Sequence, residues 1–337
     1  MSRGIRAVVG IGISAIFLFL AFRGQDFGEI GAALRETSLW WVIPALMLYF
    51  AGVYLRAIRW RILLRTVAPT ATTNQLFPIV VIGFMANNIL PLRAGEIVRS
   101  VVIGREFGVR KTSALATIAV ERIFDGITML GFLAFSMIFV SLTSELESLA
   151  IISFIGFAGL LLVMVLLTLG GDLVTRLLQL VLGPMPDRLG SKVEQMAESF
   201  LSGLGVLKSR GDLVKVIGTS LGAWLLEASM YYLMAIGFGS QVREVMSLSA
   251  TLLTTSVANL STLIPGAPGY IGQFEYGVKL VLNGAFNISE HNALAYAILV
   301  HAALYFPITI LGLFEWFRRS LSMRDFSDEQ ATESASS

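Results

Sequence analysis

The sequence predicts an all-α fold, a polytopic membrane helix bundle of about six full spans and two re-entrant helical hairpins set in inverted repeats. Three observations predict it. The 337 residues are 55% hydrophobic and only 14% charged, with a mean hydropathy of +0.76, whereas soluble domains carry roughly 25% charged residues. Several apolar stretches exceed the roughly 18 residues that mark a candidate spanning helix. Two further apolar regions are each interrupted in the middle by proline with asparagine or glycine.

The first apolar run, 5–22, follows Arg3 and Arg6. It has the basic start of a signal peptide, but no small-residue cleavage site follows, so it is read as a retained first span. Runs at about 40–55, 112–140, 148–169, 213–237 and 291–317 supply five more. The regions 74–104 and 247–284 are broken by Asn87-Asn88-Ile89-Leu90-Pro91 and by Pro265-Gly266-Ala267-Pro268-Gly269. Their halves are too short for comfortable spans and suit half-helices that dip in and return. The stretch at about 170–210 mixes polar and apolar residues at helical spacing and is read as an interfacial linker. Residues 327–337, rich in Ser and Glu, are read as a disordered tail after an integral membrane domain over 1–326.

Lys and Arg accumulate in short cytoplasmic loops. Arg3 and Arg6, Arg56 to Arg65, Arg105 to Lys111, the basic residues of 170–212, and Arg318 to Arg324 all fall on one face if both broken regions return to the side they entered from. Acidic Asp26, Glu29, Glu36, Glu145 and Glu147 fall on the other, with Arg243 the exception. Both termini are therefore expected in the cytoplasm and the chain in the cytoplasmic (inner) membrane. The net charge of +2 is too small to imply a nucleic-acid partner, and none is expected, while the absence of cysteine removes disulfides, cysteine-ligated metals and thiol catalysis. No cofactor and no metal is expected.

Pro91 to Gly95 and Pro268 to Gly272 share the frame P-x-x-x-G, 177 residues apart. The same offset carries one span, one broken region and one polar mid-span point onto another, giving repeats of about 40–140 and 213–317. One copy begins outside and the other inside, so they are inverted, as in many secondary transporters, where interrupted helices point to a substrate site near the midplane.

Arg93, Glu96 and Arg99 are spaced to share one face of the half-helix expected after Pro91, where helix N–H groups and guanidinium forks suit a phosphate. The alternative is that Glu96 simply pairs between two arginines. Glu121, Arg122 and Asp125 lie near mid-depth, each costing about 2.5–3.5 kcal/mol at a helix centre, so they must face a cavity or partners. They form either a polar path or an ion cluster locking this helix to the first hairpin. In the second break, Pro265, Gly269 and Gly272 permit bending and close approach, with Asn88 as a secondary candidate in the first. Glu275 and Lys279 are spaced as an i, i+4 pair. His301 is expected to be a lone histidine hydrogen-bonded between helices, Glu227 is a weaker candidate, and Arg56 and Arg59 read as snorkelling anchors.

The block Asn88-Ile-Leu-Pro-Leu-Arg-Ala-Gly-Glu-Ile-Val-Arg99, with Ala119-Val-Glu-Arg-Ile-Phe-Asp125 and Ile264-Pro-Gly-Ala-Pro-Gly-Tyr-Ile-Gly-Gln-Phe-Glu275, resembles the lysylphosphatidylglycerol synthase transmembrane region family. That family is also called flippase-like and includes the membrane half of the multiple peptide resistance factor. The resemblance covers about 5–320. It implies transfer of lipid head groups between leaflets, with Arg93, Glu96, Arg99, Glu121, Arg122, Asp125 and Glu275 matching its pattern.

The expected function is transport of a phosphate-containing lipid, a phospholipid or a polyprenyl phosphate, with anionic membrane lipids as partners and possible cooperation with a separate lipid-modifying enzyme. The chain itself is expected not to be an enzyme. A membrane lipid phosphatase or pyrophosphatase is the runner-up, but Pro265 to Gly269 lacks the Ser and Arg that would hold and attack phosphate. Lipid glycosyl transfer lacks a nucleotide-sugar domain or acidic metal motif, and an accessory subunit remains the third class.

Overall fold

Inside a bilayer every backbone polar group needs an internal partner, which leaves helices and closed barrels. The structure, a computed structural model, describes residues 12, 15–90, 94–169, 198, 201–202, 204–205, 209–264 and 267–321, and these are helical, with no strand among them. After a helical stretch at 15–22 come α1 (Phe27–Arg35), a 3-10 turn (Leu39–Trp41), α2 (Val42–Leu64), α3 (Thr73–Ile89), α4 (Gly95–Phe107), α5 (Lys111–Met137) and α6 (Ser144–Leu169). Then follow α7 (Arg210–Phe238), α8 (Ser240–Val245), α9 (Leu248–Ser261), a 3-10 turn (Pro268–Tyr270), α10 (Gln273–Gly284) and α11 (Glu290–Arg318).

Local chemistry sets the ends. Gln75 reaches back to the Thr72 N–H at 3.0 Å to open α3. Leu90 is extended because it precedes Pro91, and the helix stops there. Gly108, at φ +67°, closes α4 in the left-handed conformation that glycine adopts without strain. Ser209 and Ser247 cap α7 and α9 through their hydroxyls. In α10 the Glu275 carboxylate accepts from the Gly272 N–H at 2.7 Å.

Among the described residues four helices are long and apolar enough to cross a membrane: Leu39–Leu64, Ser144–Val163, Arg210–Phe238 and Glu290–Arg318. This is a multi-pass membrane protein, and the described residues show four of the six expected spans as apolar helices. The helix α5 has the length, 27 residues, but Glu121, Arg122 and Asp125 in its middle cost it the apolar composition. Half of the expected first span, most of the linker at about 170–210 and the whole tail lie outside the described residues, as do Arg93 and Pro265. The four helices around the breaks, α3, α4, α9 and α10, have 17, 13, 14 and 12 residues. At 1.5 Å per residue each is shorter than the roughly 30 Å of bilayer hydrocarbon.

The packing repeats. The neighbours α3–α4, α4–α5 and α2–α3 have counterparts in α9–α10, α10–α11 and α7–α9, and α3 packs on α11 as α9 packs on α5. The equivalent long helices α2 and α7 run antiparallel: Ser38 donates to the Gly237 carbonyl at one end, Arg56 meets Glu227, and Arg65 meets Asp212 at the other.

Small residues let the helices close. A Cβ on Gly95 would sit 2.0 Å from the Gly83 carbonyl oxygen and 2.6 Å from Asn87 Oδ1, and one on Gly126 would sit 1.8 Å from the Phe157 ring. The outer face of α6 stays apolar and exposed at Ile151, Ile152, Phe154 and Ile155, as a lipid-facing helix requires. Gly95→Ala meets backbone that cannot move aside, so it is expected to lower the thermal midpoint in detergent by the equivalent of about 1–3 kcal/mol. Gly131→Ala, with nothing within 4 Å, should leave that midpoint unchanged or raise it. Equal shifts in the two variants would show that the α3–α4 contact is looser than described.

Candidate functional site

Charge taken into an apolar bundle needs a partner of opposite sign, because the desolvation penalty is several kcal/mol per ion. The structure meets that need with one connected network. Arg59, without solvent exposure, places Nη1 2.6 Å from Asp125 Oδ1 and 2.9 Å from Ser220 Oγ, and Nε 3.6 Å from Glu121 Oε1. The other Glu121 oxygen lies 2.7 Å from Arg99 Nη2. Arg122 reaches Asp125 Oδ2 at 3.3 Å. Beside these, Arg56 pairs with Glu227 at 2.8 Å, and Asn259 donates to the same carboxylate at 3.4 Å.

Two tryptophans hold the arginines in place. The Arg99 guanidinium lies 4.0 Å from the Trp60 ring centre and Arg56 lies 4.5 Å from that of Trp224. Each indole N–H is also used: Trp60 donates to Thr117 Oγ1 at 3.1 Å, and Trp224 to Asp125 Oδ1 at 2.8 Å. The network thus ties α2 and α7 to α4 and α5.

Arg56 and Arg59 correct the sequence reading, which took them for snorkelling anchors. They stand well inside the 23-residue helix α2, on one face at i, i+3 and buried. The signal was available: Glu121, Asp125 and Glu227 all lie within long helices and required cationic partners at comparable depth.

The first break also differs from its expectation. Helix α4 begins at Gly95, and Arg99 turns to Glu121 while Glu96 Oε1 lies 3.5 Å from Asn87 Nδ2. Asn87 Oδ1 accepts the Gly95 N–H at 2.8 Å, so one of the N-terminal donors expected to meet an anion is already occupied. Asn88 donates to Thr309 Oγ1 at 2.8 Å and to the Tyr305 carbonyl at 3.3 Å, fixing the end of α3 to α11.

In the second break Glu275 and Lys279 do not pair. Glu275 turns back to the Gly272 N–H and to His301, whereas Lys279, one turn on, bonds Glu290 and the Ala21 carbonyl. His301 is accordingly not a lone histidine: Nδ1 is 2.5 Å from Glu275 Oε1 and Nε2 is 2.9 Å from the Gly269 carbonyl. The two breaks are neighbours, since a Cβ on Gly269 would stand 3.3 Å from the Asn88 carbonyl oxygen.

Two cavities meet at this network. A polar one of about 140 Å³ is lined by Arg56, Asn87, Asn88, Glu227, Tyr270, His301 and Tyr305 among others. An apolar one of about 450 Å³ lies between α5, α6 and α9 and is lined by Met129, Leu149, Ile152, Phe157, Leu160 and Leu263. They share Arg122, Asp125, Trp224, Asn259 and Thr262. Arg122 Nε and Asp125 Oδ2, both buried, have no hydrogen-bond partner among the described residues.

Fold and site define a multi-pass α-helical membrane protein built around an ion-pair network between a polar and an apolar cavity. The chain belongs to the lysylphosphatidylglycerol synthase TM region family, whose model matches residues 7–312. It is 26% identical to the glycosyltransferase AglD of Haloferax volcanii over 93% of this chain and 54% of that one, so it spans about half of that relative. It is 25% identical to a UPF0104 membrane protein of Methanothermobacter thermautotrophicus, over 91% of this chain and 93% of that one. To a UPF0104 membrane protein of Methanocaldococcus jannaschii it is 26% identical, over 89% and 91%. No solved structure matches.

The expectation that the chain is not an enzyme is overturned by the first of these relatives. A protein similar over 93% of this chain is named a glycosyltransferase, so the lack of a familiar catalytic motif does not separate this family from enzymes.

Removing one partner of a buried ion pair is expected to cost about 3–5 kcal/mol. Arg59→Met should therefore sharply reduce the yield of monodisperse protein. Arg56→Met and Glu227→Met should each lower the thermal midpoint, and the double variant should recover part of the loss. Strictly additive losses would mean that Arg56 and Glu227 do not interact.

Proposed function

We propose that the chain binds a membrane lipid with a phosphate-bearing head group and moves it between leaflets, the head group in the polar cavity and the tail in the apolar one. The observation that carries this reading is the junction of the two cavities at Arg122 and Asp125. An amphipathic ligand has its own polar-to-apolar boundary, and few soluble ligands would use both chambers. Family membership supports a lipid-related role. Arg122 is the guanidinium at the junction, its side chain 35% exposed and its Nε without a hydrogen-bond partner among the described residues. A guanidinium fork matches phosphate oxygens. Arg93, in the first break, is proposed as a second phosphate contact.

In this reading α3–α4 and α9–α10 are re-entrant hairpins of two inverted repeats. Their short lengths, the symmetric packing and the antiparallel course of α2 and α7 support it. The termini are proposed to be cytoplasmic on the charge pattern.

A second reading shares the site. The name of the Haloferax relative favours a lipid phosphate held here for glycosyl transfer, with the ion network positioning the lipid and not moving it.

Mass spectrometry of copurifying lipid and vesicle assays test both. Arg122→Gln should lower transport of a phosphate-bearing lipid about tenfold or more, the equivalent of one charge-assisted hydrogen bond. Arg93→Lys should impair it despite keeping the charge. Equal transport of a phosphate-free diacylglycerol would remove phosphate recognition, and sugar transfer to a bound lipid without movement would favour the second reading. The chain has no native cysteine, so single cysteines at Ser144 and Ser334 should react with an impermeant reagent from opposite faces. Labelling of both from one face would sink the proposed topology.

A further inference from the structure

Each half of the bundle fastens its second short helix to the next long one with one buried ionisable pair. In the first half it is Arg99 with Glu121, at 2.7 Å. In the second it is Glu275 with His301, at 2.5 Å. Shifted by the 177-residue repeat offset, Arg99 falls one residue past Glu275, and Glu121 falls three before His301, less than a helical turn away. The first clasp uses a guanidinium, which does not lose its proton in proteins. The second uses an imidazole, which can hold or release one.

We infer that His301 and Glu275 form a proton-binding site whose occupancy controls the 267–272 segment. The hydrogen-bond geometry requires the proton. The Gly269 carbonyl can only accept, so His301 Nε2 donates to it. A neutral imidazole that donates through Nε2 has a bare lone pair at Nδ1. Glu275 Oε1 lies 2.5 Å from that atom, and two lone pairs do not rest at such a distance. One hydrogen therefore bridges them, held by the ring as imidazolium or by the carboxyl. Glu275 Oε2 is already engaged by the Gly272 N–H at 2.7 Å, so the carboxylate is aimed by the same segment that it holds.

The surroundings leave the proton an exit, and the described charged groups are engaged elsewhere. His301 lines the polar cavity, and the Phe274 ring covers the imidazole at 4.6 Å between centres. The charged groups of that cavity are paired among themselves, Arg56 with Glu227 from α2 and α7, and Arg122 with Asp125 from α5. Its phenols are Tyr49, Tyr270 and Tyr305. From α10, Lys279 turns away to Glu290, and from α1, Glu29 meets His291 near the start of α11.

Loss of the proton leaves the ring one hydrogen for two acceptors, Glu275 and the Gly269 carbonyl, so one of the two bonds opens. What it frees is a segment with three positive-φ residues out of four, Gly269 (φ +73°), Tyr270 (φ +58°) and Gly272 (φ +94°), held to α11 at both ends by one imidazole. The clasp is neutral with its proton and carries one negative charge without it. An anionic head group in the same cavity favours the protonated form, and by linkage the proton favours the head group. Proton and lipid anion thus move together. This last step rests on the transport reading, whereas the proton site does not.

The chain has two histidines, His291 and His301, so His291→Gln leaves one ring to observe by nitrogen-15 NMR in nanodiscs. The expected spectrum near neutral pH shows hydrogen at both ring nitrogens, Nδ1 sharing its proton with Glu275, with one of the two lost when the pH is raised and the shared proton lost in Glu275→Gln. A bare Nδ1 or a bare Nε2 near neutral pH with Glu275 present would overturn the proton site. In vesicles a pH gradient should drive uptake of a labelled phosphate-bearing lipid by the unmodified chain and give no stimulation in Glu275→Gln. The NMR proton without gradient-driven uptake, where passive uptake persists, would overturn the coupling. The proton present with no lipid movement of any kind would confirm the site while sinking the transport reading.

Discussion

A guanidinium sealed from solvent has to find carboxylates or the bundle does not form, and Arg59 imposes that requirement on four helices. Its two acidic partners sit one turn apart on α5, which fixes the rotation of that helix against α2. Glu121 then needs more than a share of Arg59, and Arg99 from α4 supplies it. Asp125 is completed by Trp224 from α7. Each contact is a condition on a different helix, so the register of the bundle is over-determined at the depth where the backbone is also interrupted. Apolar packing alone would not select it, because lipid tails satisfy leucine as well as a neighbouring helix does.

The breaks need that rigidity. Leu90 and the Gly269 to Gly272 segment leave helical geometry inside the bundle, where freed backbone groups need partners. Side chains supply them: Asn87 for the Gly95 N–H, Glu275 for the Gly272 N–H, His301 for the Gly269 carbonyl, Tyr305 for the Asn88 carbonyl. The residues that read in the sequence as an anion site are in part the repair of the helix interruptions. The cavity is what remains between two repaired ends, which is why its lining is polar although the surrounding helices are not.

Much of this was legible beforehand. Apolar length located α2, α6, α7 and α11, and proline with asparagine or glycine located both breaks. Glu121, Arg122 and Asp125 were recognised as too costly to stand alone. The cationic half of the network was legible in part: Arg99 and Arg122 were named, and the carboxylates within long helices called for further cations at their depth. Arg56 and Arg59 lie toward the basic end of their helix, where a snorkelling lysine or arginine looks the same in one dimension. Only the antiparallel neighbour α7, bringing Glu227 and Ser220 against them, distinguishes a buried guanidinium from an interfacial one. The Glu275–Lys279 spacing misled for a related reason. An i, i+4 pair forms where nothing better is offered, and His301 offers Glu275 a partner in a drier place. Arg93 and Pro265, outside the described residues, keep the standing that the sequence gives them.

Charge accounting indicates how such a site accepts an anion. Among the described residues four guanidiniums, Arg56, Arg59, Arg99 and Arg122, stand against four carboxylates, Glu96, Glu121, Asp125 and Glu227, and a fifth carboxylate, Glu275, is matched with His301. The network is balanced when all are ionised, so a phosphate finds no vacant positive charge and must take one from a carboxylate. The cheapest exchange is at Arg122. Its bond to Asp125 is long at 3.3 Å and it is the only one of the four arginines with a substantially exposed side chain. Asp125 tolerates the loss because Arg59 and Trp224 both hold its other oxygen. Arg59 has no such freedom, enclosed as it is between two carboxylates and Ser220. The network therefore divides into a fixed part that holds helices and one exchangeable arm at the cavity junction. On the proposed reading a head group enters by trading places with Asp125 on that arm, adding one negative charge to a balanced core, and the shared proton of His301 and Glu275 keeps that charge from becoming two.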